Sequence, residues 1–147
     1  MRIRLSLAFA VLALSACGSD SGTGVNQKLS ITAQTFGAIG TSPGTTDMAS
    51  PVAGTAAGTV RVTGTMALSD PCYTMGAIAS ANGSFILVEI TADHTAGGCP
   101  TVLSAVSYDL TVSGARAGTY TVDVRHESTK GLVTTTNEAA ITTVTVH

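Results

Sequence analysis

A chain of 147 residues is long enough for one domain with a real core. Charged residues are only 11% of it, against about 25% in typical soluble domains, and the formal charge is −2. No basic patch exists, which argues against nucleic acid as a partner. Thr, Ser, Gly and Ala replace the missing charges, and Thr is β-branched and favours strands, so the composition points to an all-β exported domain.

Met1-Arg2-Ile3-Arg4 is a short positive segment, and an apolar run from Leu5 to Ala13 follows it. This is the layout of an export signal, predicted as a helix in the precursor, and it is too short to span a membrane, which takes about 20 apolar residues. The run ends in Leu14-Ser15-Ala16-Cys17, which resembles the lipobox of bacterial lipoproteins. That resemblance implies a lipid on the Cys17 thiol, cleavage before Cys17, and removal of the signal peptide 1–16. Several acyl chains, at roughly 0.8 kcal/mol per buried methylene, then hold the chain stably to a membrane. Gly18 after the cysteine resembles lipoproteins that Gram-negative cells send to their outer membrane.

Loss of 16 residues from 147 leaves a mature chain of 131, with five basic and nine acidic side chains and a formal charge of −4. Residues 17–27, rich in Gly and Ser, are predicted as a flexible tether and 28–147 as the folded domain. With Cys17 acylated, Cys72 and Cys99 remain as an even pair in an oxidising compartment and are predicted to form a disulfide. A metal-binding or redox thiol pair is the alternative, but CxxC spacing is absent.

In chain order, Lys28 to Ala33 alternates apolar and polar residues and predicts a strand. Residues 37–57, with Pro43 and Pro51, read as a long loop. Val60, Val62, Met66 and Leu68 mark the next strand, which Asp70-Pro71 ends just before Cys72. Tyr73 to Asp93 reads as a hairpin turning at Asn82-Gly83 in a type I′ turn, with Phe85–Ile90 as the most apolar and central strand. His94 to Pro100 is turn-rich. Strands follow through Val106–Val112 and Thr119–Arg125, then a turn at Ser128–Gly131 and a final segment to Val146. No amphipathic helix occurs after residue 17.

Seven or eight short antiparallel strands at this spacing predict an all-β β-sandwich. Gly118-Thr119-Tyr120-Thr121-Val122 resembles the tyrosine corner of immunoglobulin-like and fibronectin-like domains. The resemblance implies that the Tyr120 hydroxyl bonds back to the preceding connection. It covers roughly residues 104–146, and the chain lacks tryptophan altogether. The placement of Asp70-Pro71-Cys72, Gly98-Cys99 and Gly118-Thr119-Tyr120 also resembles exported bacterial proteins without an assigned function.

Candidates for chemistry are few. His94, His126 and His147 are the possible bases, with Asp93 and Ser104 as partners for His94, but no Gly-x-Ser-x-Gly elbow accompanies them. All three histidines read as solvated loop residues. Met48, Met66 and Met75 with His94 or His126 are ligand types for copper, yet they do not cluster, and Met66 falls on an apolar face. Asp123 and Glu127 near His126 have the spacing of a weak cation site, which is also ordinary on a solvated strand. No phosphate loop is present, and no catalytic residue, metal or cofactor is predicted.

The sequence therefore predicts a lipid-anchored, non-enzymatic binding or scaffold module of the cell envelope. It meets the membrane through its lipid and takes an envelope protein or polysaccharide as partner. A periplasmic small-ligand or metal-binding protein is the first alternative, and a hydrolase using Asp93-His94 the second.

Overall fold

The computed structural model describes residues 26–147 apart from 43 and 96. The predicted signal-peptide helix, the lipobox and Cys17 lie outside the described residues. Strands are β1 (Asn26–Gln27), β2 (Ser30–Phe36), β3 (Gly40–Thr41), β4 (Met48–Ala53) and β5 (Thr59–Leu68). They continue with β6 (Tyr73–Asn82), β7 (Phe85–His94), β8 (Ser104–Ser113), β9 (Gly118–Lys130) and β10 (Val133–Val146). The described residues form no helix.

The strands build a β-sandwich. One sheet has the order β1-β6-β7-β9-β10, the other β2-β8-β5-β4, with β3 added beside β8. Each central strand buries alternate side chains, as period-2 geometry requires. Val60, Val62, Met66 and Leu68 of β5 face Ile86, Val88 and Ile90 of β7 and Val122 and Val124 of β9 across the interior, all buried. Each such Val, Leu or Ile contributes about 1.5–3 kcal/mol by leaving water. The most apolar segment, β7, is the third of five strands in its sheet, as its composition predicts.

Every pairing is antiparallel except β7 with β9, which run parallel from Phe85↔Thr121 to Asp93↔Thr129. The chain leaves β7, crosses to the other sheet as β8, and returns in the same direction as β9. Along one side of the sandwich β10 packs against β4. On the other, β2 and β6 border an open groove of about 460 Å³.

Four local expectations are corrected. Residues 37–57 are not a loop throughout, because β3 and β4 lie within them. Pro51 sits in β4 opposite Val62, and β4 is an edge strand, where a residue without an N–H costs no ladder bond. Asn26 and Gln27, expected within the flexible tether, instead pair with Asn82 and Ala81 as β1. The hairpin between β6 and β7 turns on Gly83-Ser84 rather than Asn82-Gly83. Asn82 is still paired, with Phe85, and only Gly83 has positive φ (59°), the II′ arrangement. The same geometry recurs at Gly131-Leu132, with Gly131 at φ 62°, so β9 and β10 form one long hairpin rather than turning at Ser128.

Candidate functional site

Two polar clusters occupy the described fold, and both are built by strand parity. In β7 the inward residues are Ile86, Val88, Ile90 and Ala92, and the next inward position is His94. In β9 they are Tyr120, Val122 and Val124, and the next is His126. Each histidine is therefore carried inside at the end of an apolar series. This corrects the expectation of solvated loop residues for His94 and His126: the His126 side chain is 0% exposed and that of His94 12%.

The first cluster lies at the end of the sandwich that holds the disulfide. Pro71 stops β5, and the Asp70 carboxylate folds back into cover, where it is buried. Its Oδ1 accepts the Cys72 N–H (3.1 Å), and its Oδ2 accepts the Ser69 hydroxyl (3.1 Å) and the Lys130 ammonium (2.7 Å). Burial alone would raise its pKa. The Lys130 ammonium, the Cys72 N–H, the Ser69 hydroxyl and the neighbouring His94 reverse that and hold it at about 2. His94 Nε2 lies 3.2 Å from Oδ1 without hydrogen-bond alignment and has no other partner among the described residues. The Tyr73 ring stands edge-on to the His94 imidazole, with centroids 5.0 Å apart. Beside them runs a groove of about 310 Å³ lined by Leu68, Ser69, Tyr73, Lys130 and Val133.

The predicted Cys72–Cys99 disulfide is present, with Cα atoms 6.1 Å apart. It ties the start of β6 to the loop between β7 and β8, and the N–H of Thr95 donates to the Cys72 carbonyl (2.8 Å). Asp70 lies close to both sulfurs, but sulfurs bonded to each other offer no thiolate to a metal.

The second cluster bolts the two sheets together. Asp47, just before β4, accepts the Ala67 N–H (2.9 Å) and the Asn137 side-chain amide (3.0 Å), and its Oδ1 is 2.9 Å from His126 Nδ1. His126 Nε2 in turn lies 2.8 Å from the Tyr108 hydroxyl of β8. Burial works against the Asp47 carboxylate, but the hydrogen bonds from His126, Ala67 and Asn137 outweigh it and lower its pKa. In the neutral tautomer with Nδ1–H donating to Asp47, Nε2 accepts from the tyrosine, whose hydroxyl also lies 3.5 Å from the Met48 carbonyl, so both imidazole nitrogens are used. Gly64 makes room for this: a Cβ there would fall on the Tyr108 phenol and the Met48 carbonyl.

A carboxylate, an imidazole and a hydroxyl in series have the connectivity of a proton relay, but this one is built as a clamp. Tyr108 is 4% exposed. Burial and the Asp47 charge push its phenol well above the ordinary range, which keeps the hydroxyl protonated as a structural hydrogen-bonding group.

The remaining sequence candidates are dispersed. Ser104 is buried in the other sheet and donates to the Val102 carbonyl (3.0 Å), with no hydrogen bond to His94. His147 lies at the far end, where its carbonyl accepts the Gly58 N–H. Met66 is core, Met48 is 57% exposed on β4, and Met75 belongs to β6 in the opposite sheet. Both His126 nitrogens are occupied, so this set does not converge on a metal. Asp123 is also not solvated: it is 1% exposed beneath Arg125, whose guanidinium reaches it at 2.8 Å. The Tyr120 hydroxyl donates to the Arg116 carbonyl (3.1 Å), as the tyrosine-corner resemblance implies.

Comparison with family models, with curated proteins and with solved structures finds no match in any of the three.

Proposed function

We propose that this chain is an exported lipoprotein, held to a membrane through acylated Cys17, whose β-sandwich is a non-enzymatic binding or scaffold module. The observation that carries the reading is Leu14-Ser15-Ala16-Cys17 directly after the apolar run Leu5 to Ala13. A disulfide between the other two cysteines is compatible with an oxidising compartment.

The path of the chain supports a division of labour between the two ends. β1 enters beside Asn82, at the end where Gly58 meets His147. The disulfide and the Gly131-Leu132 hairpin tip lie at the opposite end, where Leu132 is fully exposed and Leu103 is 61% exposed. A lipid on Cys17 therefore holds the first end toward the membrane and displays the second. End loops and sheet edges are where such domains take partners, here an envelope protein or polysaccharide.

Cell fractionation of the wild type and Cys17→Ala tests the anchor. The wild type is expected in the membrane fraction, released by detergent and not by salt, and the variant in the soluble envelope fraction. A wild type that is soluble, or a variant that stays membrane-bound, overturns the reading.

A further inference from the structure

Strand register gathers charge of one sign on the outer face of the β7-β9-β10 sheet. The inward residues of β7 and β9 are fixed by burial, so Glu89, Asp93, Asp123, Arg125 and Glu127 point outward. In β10 the register shift between Glu138 and Ala140 reverses parity and places both Glu138 and Ile141 on that same face. Glu89 and Glu138 flank Arg125, and Leu87 and Ile141 flank Asp123. Five of the chain's nine carboxylates thus share a face with one cation, Arg125. Rows two residues apart are about 7 Å from each other and strands about 4.8 Å apart, so these charges lie within one Debye length of their neighbours.

A second observation singles out the centre of the face. Asp123 is 1% exposed, and while its Oδ2 is held by Arg125, its Oδ1 has no hydrogen-bond partner among the described residues. A buried carboxylate oxygen left unpaired is costly, and a donor that reaches it is correspondingly favoured. Arg125 itself is 45% exposed and stands in register with two other carboxylates to which it can turn. Around the charges lie exposed apolar side chains: Ile78 (58%), Phe85 (39%) and Ile141 (53%).

We infer that this face docks a basic, extended polypeptide segment. Its Lys or Arg side chains meet Glu89, Glu127 and Glu138; when Arg125 turns to Glu89 or Glu138 and uncovers Asp123, one of them takes its place on that carboxylate, and its apolar side chains lie on Phe85 and Ile141. Charge complementarity selects the partner, since the face carries a formal −4 and no cation but Arg125. A divalent cation fits less well, because Arg125 occupies the middle of the carboxylates. The inference rests on the binding-module reading and names its partner class, but it is independent of the lipid anchor.

The test uses the mature domain with its disulfide intact and two synthetic decapeptides, one alternating Lys with Leu and Ala, the other with Glu in place of Lys. The lysine peptide is expected to bind saturably, the glutamate peptide not at all. Raising salt from about 0.05 to about 0.5 M weakens the binding. Glu89→Gln/Glu127→Gln/Glu138→Gln weakens it roughly tenfold or more, and Glu138→Gln alone, at an exposed position, by a smaller factor. Asp109→Asn, on the outer face of the other sheet, leaves it unchanged. Absence of saturable binding, a triple variant that binds like the wild type, or an equal loss in Asp109→Asn overturns the inference. None of these outcomes bears on Cys17, whose fractionation test fails or succeeds separately.

Discussion

His126 and Tyr108 show how one polar pair is kept inside an apolar interior. Both side chains are buried, so His126 depends on Asp47 and Tyr108 for its hydrogen bonds, and the Tyr108 hydroxyl on His126 and, at 3.5 Å, the Met48 carbonyl. Tyr108→Phe removes one hydroxyl and strands the His126 Nε2, and the expected loss is about 1–3 kcal/mol in denaturant unfolding. Asp70 gives a pH dependence of definite sign. It titrates at about 2 in the fold and near 3.9 when unfolded, so folding favours its charged form. The resulting stability is complete above about pH 4 and drains away as pH falls toward 2. Thermal unfolding from pH 7 to pH 2 is expected to show that loss, with a shallower acid slope in Asp70→Asn. At this scale the sequence was readable in parity. Val122, Val124 and His126 alternate without a break, and so do Ile90, Ala92 and His94, so the parity that places the valines inside also reaches both histidines, which as residue types had suggested solvated loop positions instead. What the alternation does not contain is the partner: Asp47 lies 79 positions from His126 and meets it only through the tertiary fold.

Among the elements, the disulfide has the plainest energetic role. It closes a span of 27 residues holding β6 and β7, and on the chain-entropy account this stabilises the fold by about 3–4 kcal/mol. Cys72→Ala/Cys99→Ala is expected to lose that amount by urea unfolding while keeping the far-ultraviolet strand spectrum. A loss of strand content would show instead that the bridge directs the fold. Strands with clean alternation, β5, β7 and β8, were legible in outline from their residues. β4 was not, because Met48-Ala49-Ser50-Pro51-Val52-Ala53 carries small residues and a proline, and its pairing with β5 is decided by its place at the sheet edge. The long β9-β10 hairpin was hidden for a related reason. Its outer half, Glu127 to Thr136, contributes little to the core and so lacks the apolar signal that marks a strand.

For the whole molecule, the class of fold followed from composition and strand spacing, whereas the strand order did not. The parallel β7-β9 pair requires knowing that β8 crosses to the other sheet, and nothing in the residues of β8 distinguishes the sheet it joins. The register of this pair sets Glu89 beside Arg125, and that of β9 with β10 sets Glu138 on the other side, so the acidic surface is a property of the assembled sheet and not of any segment. Orientation is the other property at this scale. β1 and His147 lie at one end and the disulfide and the Leu132 tip at the other, so a lipid on Cys17, if present as proposed, would join the chain to the membrane from the β1 end.

Mass spectrometry of the N-terminal peptide of the protein purified from membranes addresses the account most directly. It is expected to find a chain that begins at Cys17, with a diacylglyceryl thioether on the sulfur. A chain that still begins at Met1, or a Cys17 carrying a free thiol, would contradict the anchor and with it the orientation argued from it.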